Sequence, residues 1–180
     1  RDVYLISRPK VSLEDFFAIG DLDKSYKNGI FSMDVNVRNF NQAAASGYSV
    51  EVGLLDAAGK TVFTKKIGVP SIAAGGEEKV SFSQSVSNPK QWSAEYPNLY
   101  SVTVALKDAK GKTTEVTASK TGFRKIEMKN GQVWINGTPI IIRGTNIHEH
   151  HPVTGHTVDQ ATRVEDIRLM KLNNINAIRM

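Results

Sequence analysis

The chain has 180 residues, no cysteine, and 23 basic against 18 acidic side chains, a formal net charge of +5. With 40% apolar and 23% charged residues it has ample material for a core, so disorder is excluded, as are a disulfide framework and any cysteine nucleophile or ligand. No apolar run is long enough to span a membrane, and the basic excess is spread along the chain without the patch a nucleic-acid binder concentrates.

Up to about residue 120 the sequence alternates. Phe31, Met33, Val35 and Val37 are spaced by two, as are Tyr48, Val50, Val52 and Leu54, and Tyr100, Val102, Val104 and Leu106. Period two puts each set on one face of a strand in a sheet buried on one side. Shorter candidates lie near Val11–Phe17, Thr61–Ile67, Lys79–Ser83 and Thr113–Ala118. Asp56-Ala57-Ala58-Gly59-Lys60-Thr61 and Asp108-Ala109-Lys110-Gly111-Lys112-Thr113 are near copies, each read as a tight hairpin with glycine in the left-handed region. Gly75-Gly76 marks a further break. About seven short strands with such turns predict an antiparallel immunoglobulin-like β-sandwich over residues 1–120.

From residue 121 to 180 the pattern changes. Phe123–Met128 and Gln132–Ile135 flank a hairpin signal at Asn130-Gly131, and a second Asn-Gly follows at Asn136-Gly137. Pro139–Gly144, with its run of β-branched residues, predicts a strand buried on both faces. A long polar segment, Thr145 to Ala161, precedes Thr162-Arg163-Val164-Glu165, which predicts a capping box. Val164, Ile167 and Met170, widened by Leu169 and Leu172, predict a helix that stops at Asn173-Asn174. Ile175–Met180 predicts a second strand. Strand, loop, helix, strand is a βαβ unit with parallel strands, and two such strands are expected to belong to a larger α/β domain.

All four histidines, His148, His150, His151 and His156, fall within nine residues. They follow the first predicted parallel strand, and Arg179 ends the second. Sites in parallel α/β architectures form at the C-terminal ends of strands, so the loop and Arg179 are expected to share one rim. Three readings of the loop stand open: a metal site, a polar wall that binds substrate hydroxyls or stabilises charge, and a structural loop whose imidazoles meet backbone groups. The spacing lacks the two-histidine helical zinc motif. Glu149 is the one acid of the rim segment, whereas glycoside hydrolysis by acid and base needs a facing pair. Glu165 and Asp166 suit the dipole at a helix start. Trp92 and Trp134 fit either sugar-stacking platforms or core and corner positions.

Five motifs in order resemble one family. Arg1-Asp2-Val3-Tyr4-Leu5 resembles the end of a jelly-roll domain. Trp92-Ser93-Ala94-Glu95 with Pro97-Asn98-Leu99-Tyr100 resembles the late part of an immunoglobulin-like second domain, and Gly122-Phe123-Arg124 the lead-in to a catalytic barrel. Arg143-Gly144-Thr145-Asn146-Ile147-His148-Glu149-His150-His151-Pro152 resembles the loop after barrel strand one, and Asn173 to Arg179 the start of the signature at strand two. Together they resemble the family-2 glycoside hydrolases, and among them most of all the β-galactosidases.

The resemblance implies a mainly β chain in which the sandwich is followed by the first strand, helix and strand of a (β/α)8 barrel. It implies a retaining hydrolase of terminal β-D-galactosides in carbohydrate catabolism, with nucleophile and acid/base beyond Met180. No catalytic residue is then expected in this chain, and Glu149 becomes a loop residue. His148 would contact the galactosyl group, Arg179 would hold the nucleophile carboxylate, and Asn146 would line the substrate site. His150 and His151 receive no role. No metal or cofactor is expected in the chain, while Mg2+ is admitted for the full-length enzyme. Met180 departs from the family pattern, which has a small residue there, and leaves the strand-two rim open. The alternatives are a non-catalytic carbohydrate-binding or spacer sandwich, and a family-2 β-glucuronidase or β-mannosidase. The reading is of a soluble protein, cytoplasmic or periplasmic, that binds no nucleic acid or membrane, with homo-oligomer or intermolecular packing through residues 140–180.

Overall fold

The computed structural model describes residues 3–180; Arg1 and Asp2 of the first motif lie outside the described residues. The chain divides into two compact units, one through Ile126 and one from Glu127 to Met180.

The first unit is an immunoglobulin-like sandwich. Strands β1 (Val11–Leu22), β2 (Gly29–Asn39) and β5 (Glu77–Val86) form one antiparallel sheet in the order β1-β2-β5. Strands β3 (Ser49–Leu55), β4 (Thr61–Gly68), β6 (Tyr100–Lys107) and β7 (Thr113–Thr121) form the other, ordered β4-β3-β6-β7. The alternating sets sit as their period demands. Phe31, Met33, Val35 and Val37 of β2 are buried, as are Val50, Val52 and Leu54 of β3 and Tyr100, Val102, Val104 and Leu106 of β6. Tyr48, just before β3, is half-buried. Together they form one hydrophobic core. The Phe31 ring packs edge-on to Phe63, with centroids 5.4 Å apart, and beside Phe82 at 5.9 Å.

The twin turns are built as expected. Gly59 and Gly111 both adopt φ +79°. Asp56 Oδ1 accepts the N–H groups of Ala58 and Lys60, and Asp108 Oδ1 those of Lys110 and Lys112, all at 2.9 Å. A side-chain oxygen thus closes each turn in the manner of an Asx turn. At another corner the Tyr100 hydroxyl accepts the Lys90 N–H at 2.8 Å, while its ring packs edge-on against Phe123.

Phe123 is fully buried and belongs to this core. Its segment makes parallel bridges to Gly20 and Gln91, so the backbone of 122–123 lies directly on β1. A Cβ on Gly20 would stand 2.7 Å from the Gly122 carbonyl oxygen. Backbone cannot yield as a side-chain end can, so Gly20→Ala should destabilise the sandwich by about 1–3 kcal/mol, measurable by urea unfolding. Trp92 donates its backbone N–H to Phe123 at 2.9 Å and carries the Arg124 guanidinium 4.6 Å above its ring. It occupies a corner against Gly122, whose Cβ position it would overlap at 2.8 Å.

The second unit opens with β8 (Ile126–Lys129), β9 (Gln132–Ile135) and β10 (Thr138–Pro139), a three-stranded sheet ordered β10-β9-β8. Both Asn-Gly pairs make the tight turns expected, with φ +52° and +72° at Asn130-Gly131 and +50° and +79° at Asn136-Gly137. Trp134 lies half-buried in β9 with the Lys129 ammonium 5.6 Å from its ring.

Pro139–Gly144 does not form a doubly buried strand: Ile141 is 73% and Ile142 60% exposed. Pairing along this segment is set by Asn176. The Asn176 side chain donates to the Ile141 carbonyl at 2.9 Å and accepts the Arg143 N–H at 2.8 Å, while its backbone N–H bonds Arg143 O at 3.0 Å. That carboxamide takes the groups a ladder would have used. The parallel pair begins one step later, with β11 (Gly144–Asn146) against β12 (Ala177–Arg179).

Between them runs α1 (Gln160–Leu172). Thr162 is not its cap. Asp159 Oδ1 accepts the Thr162 N–H at 2.8 Å, so the helix starts three residues earlier than the capping box predicts. Glu165 forms a two-point pair with Arg168 at 2.6 and 2.7 Å and does not reach back. The helix ends at Asn173, with Asn174 at φ +59°, as the sequence suggests. Its apolar residues Val164, Ile167, Leu169 and Leu172 are exposed. No helix among the described residues is long and apolar enough to cross a membrane.

Candidate active-site rim

Three short features place the rim. The register of the parallel pair sets Gly144 opposite Ala177, Thr145 opposite Ile178 and Asn146 opposite Arg179. The Ile147 N–H extends the ladder by donating to Arg179 O at 3.0 Å. Asn146 and Arg179 are therefore neighbours at the C-terminal ends of two parallel strands, and His148 follows two residues on, in the loop. All three are exposed, and so able to meet a ligand.

The loop that follows is organised by its own polar groups. His151 and Gly155 exchange backbone hydrogen bonds at 2.7 and 2.9 Å, which closes a turn over Pro152–Thr154. His151 Nδ1 accepts the N–H groups of Val153 and Thr154, both at 3.2 Å. His156 Nδ1 lies 3.0 Å from the Glu149 carbonyl oxygen, where it can only donate. The rings of His150 and His156 meet edge-on at 5.2 Å.

Glu149 is engaged structurally. Its carboxylate pairs with Arg163 of α1, at 2.9 Å from Nε and 3.4 Å from Nη2. The same helix receives the loop through Asp159, whose carboxyl is held below the usual carboxylate range. The largest cause is the backbone N–H of Thr162, helped by the Thr162 side chain and by the charges of His151 and Arg163. Among the described residues no three His, Asp or Glu side chains are gathered so as to hold a metal ion.

The structure thus sets Asn146 beside Arg179 with His148 at the same strand end, and it ties Glu149 to the helix. Sequence reasoning missed Asn176 and Asp159, while the backbone contacts of His151 and His156 are those of its third reading of the loop. The signals were modest: an asparagine just ahead of a strand, and an aspartate three residues before Thr162.

The family model for glycosyl hydrolases family 2 matches residues 11–124, and that for the glycosyl hydrolases family 2 TIM barrel domain matches residues 126–180. The chain belongs to glycosyl hydrolase family 2. A β-galactosidase of Pseudoalteromonas haloplanktis is 40% identical over 182 residues, which covers 99% of this chain and 17% of that protein. A β-galactosidase of Photobacterium profundum is 41% identical over 189 residues, with the same coverage. Among solved structures, the β-glucuronidase of Parabacteroides merdae superposes with a TM-score of 0.79 at 26% identity, over 96% of this chain and 21% of that one. The chain spans about one sixth of the length of these family-2 β-galactosidases. The sandwich and the strand-helix-strand are then a family-2 immunoglobulin-like domain and the start of a family-2 barrel.

Proposed function

We propose that this chain is part of a retaining glycoside hydrolase that cleaves terminal β-D-galactosides, and that it supplies a scaffold and one sector of the substrate rim. The observation that carries this reading is the register of β11 and β12, which puts Asn146 next to Arg179 with His148 just beyond. The β-galactosidase names of relatives at 40% and 41% identity support the galactoside. In this reading a carboxylate nucleophile and a second carboxyl, about 5 Å apart and outside these residues, perform the two displacements. The Arg179 guanidinium orients the nucleophile and favours its ionised form. His148 and Asn146 bind hydroxyls of the galactosyl unit.

A second reading, a β-glucuronidase, draws support from the likeness to the Parabacteroides merdae enzyme. The two are separated by assaying the full-length protein on p-nitrophenyl β-D-galactoside and on the β-D-glucuronide. The galactoside should give the higher kcat/KM by a large factor. A preference for the glucuronide would replace this reading with the second.

A further inference from the structure

Four carboxylates or carboxamides in the sandwich and one imidazole in the rim loop perform the same task. Oδ1 of Asp23, Asp56, Asp108 and Asn39 each accepts a backbone N–H two residues ahead. In the rim loop the acceptor is His151 Nδ1, which takes the N–H groups of Val153 and Thr154. The match is chemical as well as positional. Nδ1 is bonded directly to Cγ, as Oδ1 is in aspartate and asparagine, so it reaches the same amides. The difference is in the proton. A carboxylate keeps its acceptor down to about pH 4, and a carboxamide keeps it throughout, whereas an imidazole ordinarily gains a proton between about pH 5 and 8. A protonated Nδ1 is a donor, and it then faces two N–H groups.

We infer that His151 is a pH-sensitive positioning residue: as a neutral imidazole protonated on Nε2 it braces, through the Val153 and Thr154 amides, the turn that the His151–Gly155 backbone pair closes, and as an imidazolium it releases both amides and loosens that turn. The other loop histidines differ. His156 Nδ1 donates to the Glu149 carbonyl, a bond that survives protonation. His150 meets His156 only ring to ring. The charged groups around His151 are Asp159, at the start of α1 and near enough to feel its charge, with Arg163 beside Asp159 and Glu149. This role of His151 goes beyond the glycosidase reading and does not need it, since the turn is formed by the chain alone.

The test is nuclear magnetic resonance on the 15N-labelled 180-residue chain, with no substrate. At about pH 8 the two-bond 15N–1H pattern should show His151 with its proton on Nε2. As the pH is lowered, the 1H–15N NOE of Val153 and Thr154 should fall in step with His151 protonation, followed through its own ring nitrogens. The amides of Ala58 and Lys110, in the carboxylate-closed turns, should stay ordered and so report that the sandwich remains folded. His151→Asn should restore an acceptor at the same place and keep Val153 and Thr154 ordered through the whole range. His151→Ala should leave them mobile at both ends. A proton on Nδ1 at high pH would overturn the inference, and so would a wild-type turn that stays ordered once His151 is protonated.

Discussion

Replacing Arg179 by alanine in the full-length protein should lower kcat on p-nitrophenyl β-D-galactoside by roughly 10²- to 10³-fold, the usual loss when a positioned charge at a reacting centre is removed. The expectation comes from place and chemistry together. Arg179 closes β12 at the register position of Asn146, so its backbone is fixed by the parallel ladder and by the Ile147 N–H. A planar guanidinium at that strand end can grip a carboxylate by two parallel hydrogen bonds, which orients it and favours its charged form. In the proposed role, loss of the fork would leave the nucleophile less ionised and less well aimed, and both effects would show in kcat more than in KM. Lysine restores charge but not the fork, so Arg179→Lys should recover only part of the rate. His148→Ala should also lower kcat, through lost contact with the galactosyl unit. An unchanged kcat in either variant removes that residue's role.

The second large effect is on folding. Phe31→Ala should destabilise the sandwich by about 3–5 kcal/mol, against a total of about 5–15 kcal/mol for a typical domain. Phe31 is fully buried near the start of β2, and its ring sits against Phe63 and Phe82. Phe63 comes from the opposite sheet and Phe82 from its own, so truncation leaves a cavity that both sheets would have to close. Thermal unfolding followed by near-UV circular dichroism should show a fall in Tm and a loss of aromatic signal. An exposed residue such as Thr64 of the same pair of sheets should tolerate alanine within about 0.5 kcal/mol.

The sandwich was legible because its signals are local and redundant. Period two in Phe31–Val37 and Tyr100–Leu106 fixes both strand and face, and the Asp-x-x-Gly turns carry their own acceptor and their own glycine. The pairing of Asn146 with Arg179 was legible, because the two parallel strands of a βαβ unit end on the same side. What failed did so for nameable reasons. Ile140–Ile142 looks like a buried strand from composition alone, yet whether a strand forms there depends on a partner, and the Asn176 side chain claims the Ile141 and Arg143 backbone groups first. At the helix start two caps compete. Asp159 is at least as good an acceptor as Thr162, and Glu165, which a capping box needs, is drawn instead to Arg168. Imidazoles meeting backbone groups was one of three open readings of the loop, and nothing in the sequence singled out His151 as the acceptor.

The central claim is that residues 1–180 provide the scaffold and a rim sector while the two carboxyls that break the bond lie elsewhere. Glu149, the one acid of the rim, is paired with Arg163. The most direct measurement is release of p-nitrophenol from p-nitrophenyl β-D-galactoside by the purified 180-residue chain, run beside the full-length protein. Turnover by the full-length protein and none by the chain is the predicted result. Turnover by the chain alone would contradict it, since a complete catalytic pair would then have to be found within these residues.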